Sequence, residues 1–499
     1  MRYLSTRGGE PVSPSEAIVR GISPSGGLYV PESFPRVDVA SLAGEKPAYR
    51  DIAARVMAPY LTDTSAAKMD EMIHAAYAPF DDDRVVPTHM LCKGETVAEL
   101  WHGPTMAFKD VALQMLPRLM KNATVLTGED KTVYILVATS GDTGKAALEG
   151  FKNVPGTRVL VFYPDGGVSE AQRLQMVTQQ GDNMDVCAVR GNFDDAQTGV
   201  KQIFASEEIR RELSECGCRL SSANSINFGR LLPQIVYYYS AYLDLVQSGR
   251  IQAGDRINFC VPTGNFGDIL AGEYARRMGL PIHKLICASN RNNVLTDFFH
   301  TGVYDDKRPF YKSMSCSIDI LISSNLERLL FELADRNPET VCTWMEQLKK
   351  TGRYAIDPAM TETLSRTFAA GWCSEEDTLE TIGRIYKEYG YLMDPHTAVG
   401  QTVYERYVRQ TGDATETVLL STANPYKFAS HVLSAFEPAD KDDFVNVDRL
   451  HGLTGVPVPK GIAGLRSLPE LHLDVCALSD MPRRVVDPVK PDAPGKPRT

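Results

Sequence analysis

The 499-residue sequence has no run of about 18 apolar residues, and its opening Met1-Arg-Tyr-Leu-Ser-Thr-Arg-Gly-Gly lacks the unbroken apolar stretch of a secretion signal. A membrane-spanning or secreted protein is therefore not expected, and a cytoplasmic one is. Positive charge is not in surplus either. Asp and Glu number 63 against 53 Lys and Arg, a net −10, which argues against affinity built on neutralising nucleic-acid phosphates. A small anion can still bind such a chain, because a few cations and converging amides set the field locally. Zinc-ligand spacing is missing too. The ten cysteines are scattered, mostly in apolar runs such as Ile257–Val261, and read as reduced core thiols. Cys216 and Cys218 have no second pair or histidine at ligand spacing, so no metal site is expected. There is no solenoid repeat.

What remains is ordinary globular usage, 43% hydrophobic and 23% charged, in a chain longer than one core usually organises. Two or three packed subdomains are expected. Residues 1–92, rich in Pro and Gly with amphipathic stretches at Tyr49–Tyr60 and Ala66–Tyr77, read as a small leading domain. From about 130, β-branched apolar runs alternate with polar loops and helical stretches: Thr132–Thr139, Arg158–Tyr163, Asp185–Arg190, Arg256–Val261, Lys284–Ala288 and Thr417–Ser421. Such alternation implies an α/β class with mostly parallel sheets, in which ligands gather at strand carboxyl ends. Within a catalytic domain spanning 93–485, about 130–225 is expected to form a mobile substrate subdomain. About 318–412, with Ile318–Asp335, Pro338–Lys350, Glu375–Tyr389 and Thr397–Gln410, reads as a nearly all-helical insertion. From about Arg483 the chain is proline-rich and poor in apolar residues, so 486–499 is expected to be a mobile tail.

Five segments carry chemistry. In Glu99-Leu-Trp-His-Gly-Pro-Thr-Met-Ala-Phe-Lys109-Asp110 one lysine sits among apolar neighbours, where desolvation lowers its pKa and makes the amine nucleophilic. Ser140-Gly141-Asp142-Thr143-Gly144-Lys145 joins a strand to a helix and offers amides to an oxyanion. It is not a P-loop, since only two residues separate the glycines and Ala146 follows the lysine. Thr263-Gly264-Asn265-Phe266-Gly267-Asp268 makes a second such cradle. Asn224-Ser225-Ile-Asn227 precedes Arg230 and Gln234 on one helix face, and Ser421-Thr422-Ala ends an apolar strand.

In order along the chain, H-G-P-T-x-A-F-K-D at 102–110, S-G-D-T-G at 140–144, N-S-I-N at 224–227, G-N-F-G-D at 264–268 and S-T-A at 421–423 resemble the threonine synthase family. That resemblance implies the tryptophan-synthase-β-like fold (fold type II) and pyridoxal 5'-phosphate held on Lys109 as a Schiff base. It assigns the cofactor's phosphate to Gly264, Asn265, Phe266, Gly267 and Asp268, and its ring nitrogen to Thr422 with Ser421 nearby. Ser140, Gly141, Asp142 and Thr143 match the loop expected to receive the substrate carboxylate. Asn224, Ser225, Asn227 and Arg230 are further substrate-binding candidates. For the substrate phosphate Arg7, Lys145, Arg230 and Arg291 stay open. The implied reaction eliminates phosphate from O-phospho-L-homoserine and adds water at Cβ to give L-threonine. The alternatives are a phospho-lyase of the same fold releasing 2-oxobutyrate, or a non-catalytic anion-binding relative. The expected partner is a small-molecule substrate, with no nucleic acid or membrane, in a monomer or homodimer.

Overall fold

The structure, a computed structural model, describes residues 1–139 and 141–490. Its two principal sheets follow from the apolar runs. A run such as Ile257–Pro262 or Thr417–Ser421 is buried at every position, so it needs cover on both faces, and helices supply it. The larger sheet has six strands in the order Phe368–Trp372, Ile282–Ser289, Ile257–Pro262, Thr417–Ser421, Glu95–Glu99, Thr88–Cys92. All pairs are parallel except the last, a hairpin in which Thr88–Cys92 runs antiparallel to Glu95–Glu99. The smaller sheet is parallel throughout, in the order Asp474–Ala477, Met184–Arg190, Thr157–Pro164, Thr132–Ala138, Cys218–Ser221. Two short antiparallel ribbons pair Tyr3–Ser5 with Tyr29–Pro31 and Val303–Asp305 with Arg353–Ala355.

The cores follow strand alternation. Along Thr132–Ala138, Val133, Ile135 and Val137 join the main core, while Tyr134 and Leu136 join a second one on the opposite face. The main core centres on the helix Phe228–Gln247, whose residues from Phe228 to Leu243 are all buried, as expected of a helix apolar nearly all round. No helix among the described residues is long and apolar enough to cross a membrane.

Each sequence-read strand forms within two residues of its expected ends, and the helices Ala66–Tyr77 and Glu375–Tyr389 match residue for residue. Three expectations need correction. The region 318–412 is not nearly all helical: Phe368–Trp372 is an edge strand of the larger sheet, and its Phe-Ala-Ala-Gly-Trp composition lacks β-branched residues that would mark it. The expected helix Ile318–Asp335 is confined to Leu326–Leu333, because the preceding residues are pinned as an irregular segment described below. Finally, the chain beyond Arg483 is ordered as far as it is described. The helix Met481–Val486 buries Met481, Val485 and Val486 in the second core, and a 3-10 turn follows at Asp487–Val489. The rest of the expected tail, 491–499, lies outside the described residues.

Candidate active site

All five motif segments leave the carboxyl end of a strand and open on one cleft of about 2070 Å³ between the two sheets. After Glu99–Leu100 the chain turns tightly. Asp110 accepts hydrogen bonds from the Thr105 N–H (2.8 Å) and hydroxyl (2.6 Å), and Gly103 packs so close that a Cβ there would lie 2.4 Å from the Asp110 Cβ. Backbone bonds from Phe108 N–H to Thr422 O (2.8 Å) and Asn424 N–H to Met106 O (3.0 Å) tie this turn to the end of the central strand. Lys109 then starts the short helix Lys109–Leu113 with its amine in the cleft wall.

The amine of Lys109 is buried, with Nζ 3.6 Å from Asp142 Oδ2 and donating to Ser317 Oγ at 3.3 Å. Burial lowers its pKa, Asp142 works against that shift, and the nearby Arg230 and Lys427 charges add to it. Asp142 lies between two ammonium groups, since its Oδ1 is 3.2 Å from Lys427 Nζ. Burial alone would raise its pKa, but Lys427, then Lys109, hold the carboxyl well below the usual carboxylate range. Lys427 is itself buried and donates to Thr105 O at 2.8 Å and Gln175 Oε1 at 3.4 Å.

The loop Thr263–Gly267 presents its amides to the cleft. Phe266 has φ +63°, a left-handed value rare outside glycine, and precedes the eleven-residue helix Gly267–Arg277. Its carbonyls are tied back: Ser323 Oγ donates to Gly264 O at 2.8 Å, and Asn325 donates to Asn265 O through its N–H (3.1 Å) and side chain (3.0 Å). Among the described residues the N–H groups of Gly264 to Asp268 donate to nothing, which leaves an anion cradle at a helix N-terminus. The Asp268 side chain is not part of that cradle. It accepts from the Tyr237 hydroxyl and, at 3.2 Å, the Tyr238 hydroxyl, and burial pushes its pKa up to about 7.

The remaining candidates divide by what their side chains already do. Thr422 lines the cleft, while Ser421, one residue earlier on the strand, faces the other way and accepts from Trp101 Nε1 (3.0 Å) and Thr397 Oγ1 (3.1 Å). Gly141 has φ +140° and packs against Gln172, where a Cβ would collide at 2.4 Å; Thr143 lines the cleft. Ser140 lies outside the described residues. Asn224 and Ser225 line the cleft, with Ser225 accepting from Asn325 at 3.1 Å. Asn227 is spent as a helix cap, accepting from Gly229 N–H at 2.9 Å and donating to Ile18 O at 2.9 Å. Arg230 is buried with no carboxylate partner among the described residues; one nitrogen donates to Ala223 O at 2.7 Å, Nε has no partner, and burial brings its pKa down to about 10. The rival cations are engaged elsewhere: Arg7 on Glu327 (2.7 Å), Lys145 on Glu149 (3.2 Å), Arg291 over the Tyr311 ring (3.9 Å).

Sequence reasoning passed over Lys427 and Ser317. Lys427 could have been noticed as a cation in the otherwise apolar stretch after the central strand; no signal marks Ser317. His396 is a satisfied residue, with Nδ1 2.7 Å from Asp394 Oδ1, Nε2 accepting from the Ser317 N–H at 3.0 Å, and its ring against Phe428.

Comparison with known proteins bears on this geometry. Residues 2–77 match the family described as threonine synthase N terminus, and residues 397–485 the one described as threonine synthase, C-terminal. The threonine synthase of Pseudomonas aeruginosa is 42% identical over 440 residues, 87% of this chain and 90% of that protein. Threonine synthase-like 1 of Homo sapiens is 41% identical over 435 residues, 85% of this chain, which spans only 58% of that longer relative. The crystal structure of PLP-bound threonine synthase from Brucella melitensis superposes with a TM-score of 0.86 at 36% identity, covering 97% of this chain and 99% of that one.

Proposed function

The chain belongs to the threonine synthase family, of fold type II, and from that premise we propose that it is a pyridoxal-5'-phosphate-dependent lyase converting O-phospho-L-homoserine and water to L-threonine and phosphate. The observation that carries this reading is a desolvated amine, Lys109, in a cleft that also holds an amide cradle and the side chain of Thr422. These residues suit the cofactor. Lys109 would take its aldehyde, the amides of Gly264, Asn265, Phe266, Gly267 and Asp268 its phosphate, and the Thr422 hydroxyl its ring nitrogen. A neutral hydroxyl there, unlike a carboxylate, does not enforce protonation of that nitrogen. When bound, the group supplies an electron sink that acidifies the substrate's Cα–H.

The chain's own residues do the rest. Lys109, its ammonium form disfavoured by burial, takes and returns protons on the substrate carbons. Of the four candidates Arg7, Lys145, Arg230 and Arg291, Arg230 lines the cleft and has no carboxylate partner among the described residues, and it receives the substrate phosphate. Ser140, Gly141 and Thr143 hold the substrate carboxylate, with Asn224 and Ser225 on the adjoining wall. Asp142 balances the lysines instead of recruiting an anion, because a buried carboxylate repels one. The protein works in the cytoplasm, as a monomer or homodimer.

Incubation of the purified protein with pyridoxal phosphate and O-phospho-L-homoserine is expected to yield equal amounts of threonine and phosphate. Phosphate with 2-oxobutyrate and no threonine would make it a phospho-lyase. Borohydride reduction should fix the cofactor on the Lys109 peptide, and Lys109→Ala should remain folded without turnover.

A further inference from the structure

The Lys109 amine has a hydroxyl neighbour, Ser317. Ser317 belongs to the 3-10 turn Cys316–Ile318, ahead of the helix Leu326–Leu333, and the surrounding segment is held firmly. Asp319 accepts from Asn290 (2.7 Å), Asn292 (2.9 Å) and both the N–H (2.9 Å) and hydroxyl (2.6 Å) of Ser313. Downstream, Ser323 and Asn325 are fastened to the amide loop. The Ser317 N–H is fixed on His396 Nε2 at 3.0 Å, and Asp394 holds that ring from its other side. With its backbone so restrained, Ser317 places Oγ 3.3 Å from Lys109 Nζ and 3.2 Å from Asp142 Oδ2.

We propose that Ser317 is a catalytic residue whose hydroxyl turns between Lys109 and Asp142 as the amine gains and loses its proton. This rests on the reaction proposed above. A hydroxyl has one proton to give and two lone pairs to receive with, which suits both states of an amine. With Lys109 as ammonium, an N–H donates to Ser317 Oγ and the O–H donates to Asp142, as the distances here allow. Once the amine has passed a proton to a substrate carbon, the nitrogen exposes a lone pair, and rotation about Cβ–Oγ brings the O–H onto it. No covalent bond of Ser317 forms or breaks; the only proton transferred moves between Lys109 Nζ and carbon. Asp142, kept ionised by Lys427 and Lys109, accepts the hydroxyl in the first state without taking its proton. Among the described residues, the other charged or titratable groups facing Lys109 are Arg230, Lys427 and Cys316.

Ser317→Ala removes a partner from both states, but the ammonium loses the stronger, charge-assisted bond. In the 499-residue chain stripped of cofactor, pH-dependent acetylation of Lys109, followed by peptide mass spectrometry, should therefore show its midpoint at lower pH in S317A than in wild type. With cofactor restored, kcat should fall about 10- to 100-fold, the range of a lost acid–base assistant, with KM within about threefold. Ser317→Thr, which keeps the hydroxyl, should restore both. Ser317→Cys, close in size and a weak donor, should shift the midpoint the same way, and it decides the matter if S317A does not fold. An unshifted midpoint in the folded variant, or wild-type kcat in S317A, overturns the proposal. A wild type that makes no threonine would instead refute the proposed reaction, while the labelling midpoint still reports on the hydroxyl.

Discussion

Asp142→Asn leaves two buried ammonium groups facing an amide. At an effective dielectric of about 20, contacts of 3.2 Å to Lys427 and 3.6 Å to Lys109 are each worth roughly 5 kcal/mol of gross attraction. Desolvation and the mutual repulsion of the lysines offset much of this. Removing one member of a buried ion pair typically costs about 3 to 5 kcal/mol, and that is the loss expected here. The assay is urea unfolding followed by intrinsic fluorescence, for wild type, D142N and the double variant D142N/K427M. The double variant should recover part of the loss, because it removes one stranded cation along with its partner. The pH dependence has a definite sign. The folded-state pKa of Asp142 is depressed, so its contribution is present above the unfolded value of 3.8 and is lost as pH falls below it. The gap between wild type and D142N should therefore narrow below about pH 4. A loss under about 1 kcal/mol at pH 7, or a gap that stays constant to pH 3, would refute the counter-ion role.

Three further outcomes are expected. Arg230→Ala should raise KM for the phosphorylated substrate at least about 10-fold while borohydride still labels Lys109, whose pKa should rise with the loss of a neighbouring positive charge; kinetics and labelling midpoints check both. Asp268 has a raised pKa, so its folded form is favoured while it stays protonated, and the wild type should lose stability as pH rises from 3.8 toward about 7. Asp268→Asn should remove that slope, and urea midpoints across pH 5 to 8 test it. Gly103→Ala drives a methyl into Asp110 and should cost about 1 to 3 kcal/mol, with a matching drop in cofactor capture at Lys109 measured by absorbance.

The strands were legible because buried parallel strands must be apolar on both faces, which leaves unbroken runs such as Ile257–Pro262 in the sequence. The chemistry-bearing loops were legible for a related reason: Gly141, Phe266 and Thr422 follow such runs, where strands hand over to helices. Less visible was the direction in which side chains point. Ser421 and Thr422 look alike in sequence, yet strand alternation turns one into the cleft and the other behind the sheet. Asn227 resembled a ligand because a helix cap and a binding amide use the same atoms. Ser317 could not be read at all, since it meets Lys109 across 208 residues of chain from a stretch with no periodicity. Phe368–Trp372 and Met481–Val486 escaped because small residues and proline weaken the local signal that tertiary packing then overrides.

The position of Thr417–Ser421 sets a timetable for synthesis. This strand comes late in the chain, yet it fills the middle of the larger sheet, between Ile257–Pro262 and Glu95–Glu99. The smaller sheet likewise acquires its edge strand Asp474–Ala477 only after its other four strands have been made. Neither sheet can hold its full set of strands before these late segments emerge, so the Lys109 amine is made long before the sheets that frame its cleft are complete. It becomes a buried, reactive group only after more than three hundred further residues have emerged.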